Sequence, residues 1–128
     1  MRVRLLSLCL LAALVLSLVP VAVQARDGEV RRRGSCSGGP SEWELRVDRE
    51  SRRYLRIRFE IRGGDEGQTW QLFLSNDGTR VYAGSKVSDD GGEVRVRKLA
   101  RNRAGSDRIK ASGVNLVTGE SCLGALGY

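Results

Sequence analysis

From residue 42 onward the chain alternates apolar and polar positions with a period of two. Trp43, Leu45 and Val47 fall on one side, while Glu42, Glu44, Arg46 and Asp48 fall on the other. Leu55, Ile57, Phe59 and Ile61 repeat the pattern against Arg56, Arg58, Glu60 and Arg62. This is the signature of strands with one buried face. Further strands are predicted at QTWQLFLSN, where Trp70, Leu72 and Leu74 share a face and Phe73 sits opposite, and at RVYAGSK. EVRVRKL, with Val94 and Val96 turned inward, DRIKASGVNLV and SCLGALGY complete a set of seven strands and no helix.

Turn signals separate these runs: GGDEG at 63–67, NDGT at 76–79, SDDGG at 88–92, ARNRAGS at 100–106 and TGE at 118–120. The Asp-Gly of NDGT suits a two-residue hairpin, because both residues tolerate positive φ. Seven short strands in about 100 residues predict an all-β fold. We read it as a seven-stranded antiparallel β-sandwich of immunoglobulin-like or fibronectin type III-like class, with a small closed barrel as the alternative closure. Trp70 lies near the start of the third strand, where that class often buries a tryptophan.

The first residues follow a different pattern. Arg2 and Arg4 precede an apolar run from Leu5 to Val19 that Pro20 breaks, and Val23 and Ala25 set small residues before a cleavable bond. Residues 1–25 therefore read as a secretory signal peptide cut after Ala25, because fifteen apolar residues fall short of the roughly 20 that span a bilayer. No membrane span is expected once it is removed. Residues 26–35, RDGEVRRRGS, lack apolar periodicity and read as a flexible basic arm. Residues 36–128 are the β-sandwich domain.

Cys9 leaves with the leader, so Cys36 and Cys122 remain as an even pair in an exported chain. A disulfide joining the two ends of the domain is the expectation.

The formal net charge is +7, and removal of Arg2 and Arg4 leaves +5. Of the 22 basic residues only Lys86, Lys98 and Lys110 are lysine. The arginine excess fits recognition of phosphate or carboxylate, and it fits a GC-rich genome equally. Arg31, Arg32 and Arg33 of the arm, with Arg56 and Arg58, are the candidate contacts to a polyanion. Against this stands the ordinary wet face of a half-buried sheet, because Glu42, Glu44, Glu60 and Glu93 are interleaved with the arginines. Nucleic acid is disfavoured for the same reason, Tyr54 being the one obvious aromatic for stacking on bases.

Catalytic chemistry has little to rest on. The chain holds no histidine, which removes serine–histidine and cysteine–histidine machinery and an ordinary histidine base. Asp65 with Glu66 and Asp89 with Asp90 are the carboxylate pairs, both in glycine-flanked loops. They are candidate loop contacts; a glycosidase pair would have to face across a cleft, a separation that sequence alone does not give, and a weak calcium site from the same carboxylates would lack the ordered ligand spacing of an EF-hand. No metal site and no cofactor is expected.

GQTW at 67–70, NDGTRVYAG at 76–84 and TGESCLG at 118–124 resemble small secreted actinobacterial proteins built as a signal peptide and one disulfide-tied β-sandwich. That resemblance implies a fold and an extracellular location and no activity. NLVTG at 115–119 and GGDEGQTW at 63–70 are similar to two loops of chagasin-like inhibitors of cysteine proteases, immunoglobulin-like domains that plug a protease cleft. Here the two segments run in the reverse order, and Leu116 stands where that family has proline.

The expectation is a secreted, non-enzymatic binding module that contacts a protein or cell-wall component through loops 63–67, 76–79, 88–92 and 101–106 at one end of the sandwich. The alternatives are electrostatic adhesion to an anionic polymer through arginines, a loop-based protease inhibitor, and a small hydrolase using the loop carboxylates.

Overall fold

The computed structural model describes residues 28–128. The expected leader, Cys9 and the first two residues of the expected arm lie outside the described residues. Eight strands follow one another: β1 (Val30–Ser35), β2 (Glu42–Arg49), β3 (Tyr54–Arg62), β4 (Thr69–Asn76), β5 (Thr79–Val87), β6 (Val94–Arg101), β7 (Arg108–Asn115) and β8 (Ser121–Gly127). They form two four-stranded antiparallel sheets, ordered β1-β2-β3-β6 and β5-β4-β7-β8.

The eighth strand corrects the reading of residues 26–35 as a flexible arm. VRRRGS pairs along its whole length with β2, from Val30 opposite Val47 to Ser35 opposite Glu42. Its apolar signal is absent because its inward positions, Val30, Arg32 and Gly34 opposite Val47, Leu45 and Trp43, hold only one apolar side chain. Only Val30 and Gly34 are even half-buried, so backbone pairing rather than side-chain burial holds it. The other seven strands coincide with the predicted runs.

The inward positions of both sheets make one core. Leu45, Val47, Leu55, Ile57, Phe59 and Ile61 of the first sheet meet Trp70, Leu72, Leu74 and Ile109 of the second, all essentially without solvent contact. Each such side chain contributes about 1.5–3 kcal/mol, and the strict period of two is what brings them onto one face.

Local chemistry then sets the corners. Asp77 (φ 48) and Gly78 (φ 79) both adopt positive φ, as the tight turn between β4 and β5 requires. Cys36 and Cys122 are joined by a disulfide with Cα atoms 4.3 Å apart, linking the end of β1 to β8 in the opposite sheet. Beside it the Trp43 indole slots between Gly34 of β1 and Gly124 of β8. A methyl group on either glycine would stand 2.7 Å from the ring. Glycine at both places is what lets the indole close this side of the sandwich.

Candidate functional site

The outer face of the first sheet carries the arginines that the sequence singled out. One cross-strand row sets Arg31, Arg46, Arg58 and Arg97 side by side, and the next sets Arg33, Glu44, Glu60 and Arg95. Like charges directly opposite each other destabilise a sheet. Here the side chains avoid that by pairing with the neighbouring row. Arg46 reaches Glu60 at 2.9 Å and Glu44 at 3.0 Å, and Arg62 reaches Glu60 at 3.0 Å. The Glu44 contact lies off the axis of the Arg46 Nε–H bond, so it is an ion pair without a hydrogen bond.

Four of the five candidate polyanion contacts belong to this ladder. Arg31 pairs with Glu29 at 3.0 Å, Arg33 with Glu44 at 2.6 Å, and Arg58 with Glu29 at 3.2 Å and Asp48 at 3.4 Å. Arg56 pairs with Asp48 at 3.4 Å and with Glu50. The hydrogen bond from Arg31 holds the Glu29 carboxyl below its usual range against the opposing effect of burial, with the charges of Arg31, Arg58 and Arg46 adding to it. Arg95 does the same to Glu93. Arg32, the fifth, projects from the other side of β1 and meets Arg108 and Lys110 beside Ala125 and Gly127. A groove of about 250 Å³ beside Trp43 is lined by Arg33, Glu44 and Arg62, charges the ladder already pairs.

The second sheet presents a different outer face. Val87, Thr69 and Leu116 stand in one row, Ser85, Gln71, Val114 and Ser121 in the next, and Ala83, Phe73, Ser112 and Leu123 in the third. None of these eleven residues is charged. Of the eight large apolar side chains that are exposed among the described residues, six lie on this face or in the loop after β7: Phe73, Val87, Val114, Leu116, Val117 and Leu123, the last 72% exposed.

The loops do not gather as the sequence reading supposed. Each antiparallel strand reverses the chain, so successive connections fall at opposite ends. Loops 36–41, 63–68, 88–93 and 116–120 share one end, while 50–53, 77–78 and 102–107 share the other. Segments 63–67 and 88–92 are therefore together, and 76–79 and 101–106 are at the far end.

At the first end the backbones are tied to one another. Ser88 Oγ donates to Asp65 O at 2.6 Å and accepts from Gln68 N at 2.9 Å. The four loop carboxylates, Asp65, Glu66, Asp89 and Asp90, all lie at this end and are exposed. The Asp89 carboxylate accepts from the amides of Gly91 at 3.0 Å and Glu93 at 2.9 Å, which makes it a loop-former.

Sequence reasoning missed Asn115 and Glu120. Asn115 is buried. Its Oδ1 accepts from Val117 N at 2.8 Å and Thr118 N at 3.1 Å, and its Nδ2 donates to Gln68 Oε1 at 2.6 Å. It fixes the loop that displays Leu116 and Val117. The buried Glu120 accepts from Ser41 N at 3.2 Å and anchors loop 36–41. The resemblance at NLVTG singled out this loop, and an asparagine just before a turn is the residue-level signal for the role of Asn115.

Among the described residues no group of three or more metal-ligating side chains occurs, and no helix is long and apolar enough to cross a membrane. Compared with known proteins, the chain matches no family model and no curated protein sequence.

Proposed function

We propose that the protein is an exported, non-catalytic binding module that meets a protein or wall component through the loop end built by 63–68, 88–93 and 116–120, continuing onto the neutral outer face of the second sheet. The observation that carries this reading is the contrast between the two outer faces. Charges on the first are largely engaged within the sheet, whereas the three rows of the second nearest the loop end carry no charge and expose several large apolar side chains among neutral polar ones, before Arg80 and Lys110 return in the next row; exposed apolar surface of this kind marks interaction sites. With β1 set aside, three strands (β2, β3, β6) face four (β5, β4, β7, β8), and the chain changes sheet at β3–β4, β5–β6 and β6–β7. This supports an immunoglobulin-like, fibronectin type III-like arrangement, a class that uses its end loops for recognition.

The test is retention of the producing organism's extracellular proteins and wall fragments on immobilised domain. Val117→Asp with Leu123→Asp should abolish retention while the thermal midpoint stays near that of the parent. Undiminished retention by that variant sinks the proposal.

One observation favours a narrower version, a loop-based protease inhibitor. The two segments that resemble chagasin-like loops lie side by side, since Leu116 N donates to Thr69 O at 2.9 Å and Asn115 bonds Gln68. Inhibition of a papain-type protease by the parent and its loss in Leu116→Asp would support it, and full protease activity at saturating domain would end it.

A further inference from the structure

Three arginines outside the ion-pair ladder, Arg80, Arg101 and Arg103, lie together where β5 meets β6. β5 and β6 are the edge strands of their two sheets and run beside each other. Between them lies a groove of about 260 Å³ lined by Arg80, Arg101 and Arg103 together with Thr79, Val81 and Leu99. No carboxylate lines it. Farther along the same pair of strands Lys98 of β6, three residues before Arg101, lies 4.9 Å from the centre of the Tyr82 ring on β5.

The cations of this groove are held in place by neutral groups. Arg103 Nη2 donates to Thr79 Oγ1 at 2.9 Å, and the Arg80 guanidinium lies 5.6 Å from the centre of the Phe73 ring. The two acids close in sequence form hydrogen bonds to neutral amides and no ion pair with the groove arginines. Asp77 Oδ1 accepts from Arg108 N at 2.8 Å, and the buried Asp107 accepts from Asn76 Nδ2 at 2.9 Å and Arg103 N at 3.2 Å. Arg103, pre-positioned by Thr79 and without an ion-pair partner, shares the groove lining with Arg101, and Arg80 stands at its rim against Phe73; guanidinium groups so placed suit the fork geometry that binds oxyanions. Pre-positioning lowers the ordering cost of binding.

Another basic cluster among the described residues, Arg32, Arg108 and Lys110 on the β1–β8 side, lies over Ala125 and Gly127. None of its side chains makes a side-chain hydrogen bond or ring contact among the described residues.

We propose that the β5–β6 groove is a binding site for the phosphate or sulfate groups of a linear anionic polymer, with Arg80, Arg101 and Arg103 as the contacts and Lys98 extending the track. It touches the apolar surface above at Phe73, which Arg80 overlies, and the variants below leave that surface unaltered.

The experiment titrates residues 26–128, oxidised, with dextran sulfate and with medium-chain polyphosphate at 50 mM and 300 mM salt, and compares two variants of equal net charge. Arg101→Gln with Arg103→Gln should weaken binding about tenfold or more. Arg32→Gln with Lys110→Gln should change it by no more than about twofold, and inorganic sulfate at matched sulfate concentration should compete poorly. Affinity should fall steeply with salt, as counterion release requires. Equal weakening by the two variants would reduce the effect to net charge and overturn the site. Absence of binding to either polymer at 50 mM salt would overturn it as well. Competition by anionic lipid vesicles as strong as that by polymer would reassign the groove to a membrane surface.

Discussion

Arg33 donates from Nε to Glu44 Oε2 at 2.6 Å, across the edge pair of the first sheet. Glu44 points to the solvent side, yet its side chain is only 5% exposed, because Arg31, Arg46 and Arg62 crowd it as well. A carboxylate covered by four guanidinium groups is the centre of the ladder. Glu44→Gln should therefore cost about 1–3 kcal/mol in urea unfolding, since it leaves several cations without their shared partner. Arg33→Gln, at a far more exposed position, should cost no more than about 0.5 kcal/mol. The reverse ranking would show that the ladder is not organised around Glu44.

The same ladder gives stability a pH dependence. Glu29 and Glu93 have folded-state values below the ordinary carboxylate value of 4.5, each chiefly through a hydrogen bond from an arginine. A depressed folded value means the unfolded chain binds the proton first. The stabilisation is thus present above about pH 4.5 and is lost as pH falls through the folded value. Urea midpoints of the parent should decline below pH 4.5, and Glu93→Gln should flatten that decline while leaving the shape above pH 6 unchanged. A variant that tracks the parent throughout would show that this pair contributes nothing.

Reduction should be costly. The Cys36–Cys122 bond closes a loop with a sequence separation of 86, for which chain entropy gives roughly 4–5 kcal/mol. Cys36→Ser with Cys122→Ser should lower the free energy of unfolding by about that amount while the β-sheet circular dichroism of the folded protein remains. A change of less than about 1 kcal/mol would mean that β1 and β8 are held mainly by the packing of Trp43.

That packing is itself testable. A methyl group at Gly124 would stand 2.7 to 3.0 Å from three atoms of the Trp43 six-membered ring. Gly124→Ala should cost about 1–3 kcal/mol through overpacking and shift tryptophan emission to longer wavelength. Gly127→Ala, with open space around the new carbon, is the matched control and should leave both unchanged.

Most of the architecture was legible because alternation is a local signal. Leu55 to Ile61 declare their face by themselves, and Asp77-Gly78 declares its turn. β1 was not legible, because VRRRGS is held by backbone pairing to β2 and carries almost no apolar side chains for a pattern to reveal. The pairing of the arginines was half legible. Interleaved acids pointed to a wet face, but which arginine meets which acid depends on strand register, and register is a tertiary property. The neutral face escaped notice for a similar reason. Ala83, Phe73, Ser112 and Leu123 come from four separate strands and become one row only when the sheet is assembled. The loop ends were misassigned because four successive connections were taken together, although each antiparallel strand reverses the chain and sends the next loop to the other end.

The most direct test of the account is a side-by-side retention measurement on the producing organism's extracellular fraction. It compares the parent with Val117→Asp/Leu123→Asp on the neutral surface and Arg56→Gln/Arg58→Gln on the ladder. The account predicts that the neutral-surface variant loses a discrete partner that 0.5 M salt does not release from the parent, and that the ladder variant keeps it within about twofold, as expected for solvent-facing ion pairs. Loss of the partner in the ladder variant, with full retention by the neutral-surface variant, would contradict it.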